Sequence, residues 1–122
     1  MVEDIRRASD FYRLQPLATL TWENKTGLNE TPTTDTEIDV SQAESIAIQA
    51  KTDTGNTSTS LDINVHATLD GSVWDTVEYT PFNLGNGETK TVLVSPGVRR
   101  IRLRLDVNNG VGYVTAKVLV RT

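Results

Sequence analysis

Cysteine is absent, and its absence excludes a disulfide scaffold, a cysteine nucleophile and any zinc or iron–sulfur site built on thiolates. Histidine occurs once, which excludes a histidine-rich metal centre. Aromatic residues make up only 6% of the chain. No apolar run approaches the roughly 20 residues that span a bilayer as a helix, so no membrane partner is expected. The first ten residues, Met1 to Asp10, carry Glu3, Asp4, Arg6, Arg7 and Asp10. They lack the apolar stretch of a secretory signal, and the expectation is a protein made and used without export. Net positive charge is also missing. Twelve Lys+Arg stand against 16 Asp+Glu, a net charge of -4, which opposes the clustered-cation chemistry of nucleic-acid binding.

The 122 residues fit one domain, long enough to bury a core without staples. Threonine is unusually frequent, at 18 residues, and β-branched side chains suit a pleated, half-buried surface. Only residues 3–13 offer helical spacing, with Ile5, Ala8, Phe11 and Tyr12 three and four apart. An arm docked on a partner explains that segment equally well. The domain division is therefore an N-terminal arm, 1–16, and a β domain, 17–122.

From Leu17 the apolar period is two. Ala18, Leu20 and Trp22 define a first strand, and short strands follow at 37–40 and 45–51. Leu61, Ile63, Val65, Ala67 and Leu69 alternate with polar residues over 61–69. Asp70-Gly71-Ser72 reads as a tight turn into a return strand at 74–79, which Pro81 ends. Residues 89–94, 98–107 and 113–121 complete about eight strands with turn signals at intervals of about 8–12 residues. The fold class is all-β: an antiparallel two-sheet β-sandwich, immunoglobulin-like or jelly-roll.

No constellation points to catalysis. His66 lies on the polar face of its strand between Asn64 and Thr68, and no Gly-x-Ser-x-Gly elbow accompanies it. Asp35, Glu37 and Asp39 alternate along one strand, but nothing marks them as buried acids. Asp53, Asn56, Asp70 and Asp75 are oxygen donors for calcium by type, without an EF-hand spacing, and read as turn residues. Trp22 and Trp74 read as core rather than as sugar platforms. No catalytic, cofactor or metal residues are assigned. The most concentrated charge is Arg99, Arg100, Arg102 and Arg104. Three of these, at 100, 102 and 104, share one strand face as a guanidinium ladder about 13 Å long. Two readings stay open: cross-strand pairing with Asp62, Glu78 or Asp106, and a strip that binds carboxylates of a partner.

The run Val65-His66-Ala67-Thr68-Leu69-Asp70-Gly71-Ser72-Val73-Trp74, followed by Val98-Arg99-Arg100-Ile101-Arg102-Leu103-Arg104-Leu105 and Gly112-Tyr113-Val114-Thr115-Ala116, resembles small β-sandwich structural proteins of tailed viruses. These are head-decoration and neck- or tail-associated proteins. The Asp-Gly-x-x-Trp hairpin and Ile-Arg strand also resemble discoidin-type carbohydrate-binding modules. The first resemblance implies a non-enzymatic capsid decoration protein that binds the major capsid protein, other virion proteins or its own copies, a trimer among them. It implies a location in the virion after synthesis in host cytoplasm. Ile5, Phe11, Tyr12 and Leu14 in the arm, with Arg100, Arg102 and Arg104 on the ladder, are the expected partner contacts.

Overall fold

The computed structural model describes residues 14–34, 37–75 and 82–122. Among these residues there is no helix, and eight strands form two four-stranded sheets. They are β1 (Gln15–Lys25), β2 (Ile38–Asp39), β3 (Ser45–Thr52), β4 (Leu61–Thr68), β5 (Phe82–Leu84), β6 (Thr89–Val94), β7 (Arg100–Val107) and β8 (Gly112–Arg121). One sheet runs β1-β8-β3-β6 and the other β2-β7-β4-β5, with every neighbouring pair antiparallel.

The pairings β1·β8, β2·β7, β3·β6 and β4·β5 are nested. They describe one long hairpin, folded over so that β8 also meets β3 and β7 also meets β4. That is jelly-roll order, and it decides between the two sandwich types expected. Among the connections, only β4 to β5 stays within one sheet.

Alternation supplies the core, because each strand turns one apolar face inward. Ile46 and Ile48 of β3, Val114, Val118 and Val120 of β8, and Leu20 and Trp22 of β1 meet Leu61, Ile63 and Val65 of β4 and Ile101, Leu103 and Leu105 of β7. Burying each of the larger aliphatic side chains contributes about 2 kcal/mol. The indole Nε1–H of Trp22 donates to the Glu30 carbonyl at 2.9 Å. Glu30 also exchanges backbone hydrogen bonds with Leu105 at 2.8 and 3.0 Å, so part of the polar stretch after β1 lies along β7.

Three expectations change. Strand β1 begins at Gln15 and contains Pro16, which an edge strand tolerates; the expected start was Leu17. Leu69 is not inward but 76% exposed. Strand β4 ends at Thr68, whose hydroxyl turns to the following loop, donating to the Val73 carbonyl at 2.6 Å and accepting from Gly71 N–H at 3.1 Å. The return strand expected at 74–79 does not begin at Trp74 or Asp75, which are irregular; residues 76–81 lie outside the described ones. The partner of β4 on that side is β5, three residues later in the chain.

Candidate functional site

Strand β7 is an interior strand, with β4 on one side and β2 on the other. Its inward residues Ile101, Leu103 and Leu105 are buried. That phase fixes Arg100, Arg102 and Arg104 on the outer face of the sheet, as the alternation predicts. Opposite them on β4 stand Thr68, His66 and Asn64 in turn. The three arginines are all half-buried.

Each guanidinium has a different setting. Arg100 pairs with Glu37 at 3.2 Å. Arg102 lies under the indole of Trp74, 4.5 Å from guanidinium carbon to ring centroid, within cation–π range. Arg104 donates to the Leu103 carbonyl at 2.9 Å. The pairing expected with Asp62 and Asp106 takes another form. Asp62 accepts from the side-chain amides of Asn83 and Asn108, both at 2.9 Å. Asp106 accepts from Asn29 N–H at 2.7 Å and from Asn64 at 3.0 Å. Amides supplied by loops and by β4 and β5 thus occupy these carboxylates. Glu78 lies outside the described residues.

Trp74 is a correction: it is half-buried on the outer face, not in the core, whereas Trp22 is core as expected. Its place follows from the loop after β4. Asp70 accepts from Ser72 N–H at 2.8 Å and Val73 N–H at 2.9 Å. Those two backbone donors, Val73 first, lower the Asp70 carboxyl to about 2 from its ordinary 3.8. Gly71 takes φ +89°, a conformation open to glycine. Arg99 donates to the Asp70 carbonyl at 3.2 Å, and Asp75 N–H returns to the Ala67 carbonyl at 3.0 Å. The loop is pinned at both ends, and Trp74 is laid back over β7.

His66 faces the same side, half-buried, directly opposite Arg102. Its Nδ1 and the Nε of Arg102 are buried without a hydrogen-bond partner. Asp53, Asn56 and Asp70 serve turns: Asn56 bridges to Asn86 at 2.8 Å and to the Ser58 carbonyl at 2.9 Å. Asp53 receives a hydrogen bond from Thr115, and Asp39 is lowered by the Ser41 hydroxyl and N–H it accepts from. Among the described residues no three of His, Asp and Glu gather to hold a metal ion. Leu14 is half-buried just before β1; Ile5, Phe11 and Tyr12 lie outside the described residues. The structure thus joins the arginine ladder to Trp74 and His66, a grouping the sequence reading missed. The signal was present in Asp70-Gly71 placed four residues before a tryptophan, which that reading sent into a strand.

No family model matches the chain, and no curated protein matches it. Among solved structures it is similar to the CBM22-2 xylan-binding domain of Paenibacillus barcinonensis Xyn10C, at 12% identity over 90% of this chain and 87% of that one, TM-score 0.43. It is also similar to a structure of Bacillus endospore appendages, a family of disulfide-linked pili, at 12% identity over 88% and 89%, TM-score 0.38. Neither is a tailed-virus protein, and likeness at this level does not bear on function.

Proposed function

We propose that this chain is a non-enzymatic binding protein whose contact face is the outer surface of the β2-β7-β4-β5 sheet. The carrying observation is the Arg100–Arg102–Arg104 row on an interior strand, with Trp74 stacked on its middle member. Such a face offers planar donors and an aromatic edge at the centre of a rigid sheet, the residue types that anchor protein interfaces. The partner it suits is an acidic protein surface. In the setting that the sequence resemblance implies, the partner is the major capsid protein, and the chain decorates a virion head. Jelly rolls build capsid proteins and lectins alike, so the support comes from the face and not from the fold.

The test is cosedimentation of the purified protein with heads assembled from the major capsid protein of the same genome. Pelleting that weakens with salt, and is lost in Arg100→Glu/Arg104→Glu, is the expected result. Absence of pelleting refutes the capsid reading, and salt-insensitive pelleting refutes the arginine face. A second reading, sugar binding, is favoured by Trp74 alone, since its ring is half-exposed on a sheet face. A glycan array with hits abolished by Trp74→Ala would establish it in place of the first.

A further inference from the structure

Two asparagines of the chain, Asn86 and Asn109, are followed by glycine. In such a pair the backbone nitrogen can reach the side-chain amide of the preceding residue, because glycine puts no Cβ in the way. The glycine nitrogen attacks Cγ of the asparagine and closes a five-membered succinimide. The Cγ–Nδ2 bond breaks, and ammonia leaves with the proton that the backbone nitrogen gives up. Water then opens the ring to aspartate or to isoaspartate.

Both pairs lie between strands and both are exposed, so exposure does not separate them. Their surroundings do. Asn109 is held by three hydrogen bonds. Its Oδ1 accepts from Thr59 N–H at 2.9 Å and from the hydroxyl of the fully buried Ser58 at 3.1 Å, and its Nδ2 donates to Thr59 Oγ1 at 2.9 Å. A Cβ at Gly110 would stand 2.9 Å from Thr57 Oγ1 and 3.1 Å from Ser58 N, so a ring closing there has no room. The Asn86 side chain accepts one hydrogen bond, from Asn56 Nδ2 at 2.8 Å. Nothing stands within 4 Å of the place a Cβ would take at Gly87. One restraint acts at that site: the Gly87 N–H, which is the nucleophile, donates to Thr52 Oγ1 at 2.9 Å. The turn itself closes from Glu88 N–H to the Gly85 carbonyl at 3.1 Å, with Gly87 at φ +82°, the type II form that calls for glycine at this place.

We infer that Asn86 is a site of spontaneous modification in the folded protein, converting to aspartate and isoaspartate, while Asn109 is protected. Thr52 is the positioning residue that slows the conversion by holding the Gly87 nitrogen. Either product places a new carboxylate two residues from Glu88 and adds one negative charge to the net -4. Isoaspartate also routes the backbone through its own Cβ and Cγ, which lengthens the turn joining β5 of one sheet to β6 of the other. The inference is independent of the arginine face.

The test ages the full-length protein in mildly alkaline buffer, samples it over days and maps the tryptic peptides. Cleavage after Lys and Arg puts Asn86 in the peptide 52–90 and Asn109 in the peptide 105–117, and fragment spectra locate the gain of one mass unit. Freeing the Asn109 side chain breaks two more hydrogen bonds than freeing Asn86, so Asn86 should convert faster on the order of tenfold. In urea the two rates should converge. Thr52→Val keeps the shape of the side chain and removes the acceptor. It should speed conversion at Asn86 roughly fivefold and leave Asn109 unchanged. Equal rates in the folded protein, or a lead by Asn109, overturn the inference. So does an Asn86 that converts only in urea, and so does a lead that persists undiminished in urea, since its origin would then be local sequence and not the fold. Conversion no faster in Thr52→Val than in the parent overturns the role given to Thr52.

Discussion

The stack of Trp74 on Arg102 should be a measurable coupling, best read by a double-mutant cycle. Trp74→Leu keeps an apolar cover and removes the ring, while Arg102→Met keeps the stem and removes the charge. Cation–π pairs run from about 0.5–1 kcal/mol when exposed to about 2 when desolvated. Both partners are half-buried and the separation is 4.5 Å, so the coupling should be about 1 kcal/mol. The single variants alone would mislead. Arg102→Met loses the stack but also removes a buried Nε–H that has no partner, whose burial costs about 1–3 kcal/mol. That variant should be near neutral or slightly stabilised, whereas Trp74→Leu should be destabilised. Only the cycle isolates the pair. Urea denaturation followed by far-UV circular dichroism suits the measurement, since one of two tryptophans is removed. At a typical m-value, 1 kcal/mol moves the midpoint by about 0.5 M. Additivity of the two variants within about 0.3 kcal/mol would refute the stack as an energetic contact.

Asp70 should titrate near 2 by NMR. Its folded value is depressed from 3.8, so its stabilising contribution is present above about 4 and is lost as pH falls through about 2. Asp70→Asn should remove that acid dependence, and a titration midpoint at the ordinary value would contradict the capping geometry. Trp22→Phe should cost about 2 kcal/mol, combining a lost hydrogen bond and a small void at a fully buried site; thermal denaturation measures it. The Glu30 carbonyl keeps its bond from Leu105 N–H, which limits the loss. Gly112→Ala should cost about 2 kcal/mol by overpacking, because a Cβ there would stand 2.9 Å from Val107 Cγ2 and 3.1 Å from Leu61 Cδ2. An unchanged midpoint in chemical denaturation would contradict it.

The sheets were legible because burial on one face enforces a period of two. Residues 61–67 and 101–107 show it without interruption, residues 114–120 show it but for the outward Leu119, and their inward residues are those in the core. The misreadings sit where side chains, not periodicity, decide the path. Leu69 continues the alternation, yet the Thr68 hydroxyl and the Asp70 carboxylate satisfy the next backbone groups and turn the chain out of the sheet. Phe82-Asn83-Leu84 is too short to declare a period, and it follows a proline. The pairing order was beyond reach for a different reason. β1 pairs with β8 near the other end of the chain, and nothing local in either strand names its partner.

The same division explains the candidate site. The arginine ladder is a consequence of phase: once Ile101, Leu103 and Leu105 face the core, the residues between them must face out. What surrounds the ladder is a consequence of topology. Nested pairing puts β7 inside its sheet, so its outward side chains are held by backbone ladders from β4 on one side and by β2 and Glu30 on the other. The carboxylates expected to pair with it, Asp62 and Asp106, take amides from Asn83, Asn108, Asn64 and Asn29, groups brought in from four separate segments. An edge strand with the same sequence would present mobile arginines, and a partner would have to order them at a cost in side-chain entropy of about 0.5–1.5 kcal/mol each. Here the backbone beneath the three guanidinium groups is already fixed, and one of them is already stacked. A surface preorganised in this way loses less on binding, which is the physical reason for proposing a contact face on β7 and not on a strand at the rim.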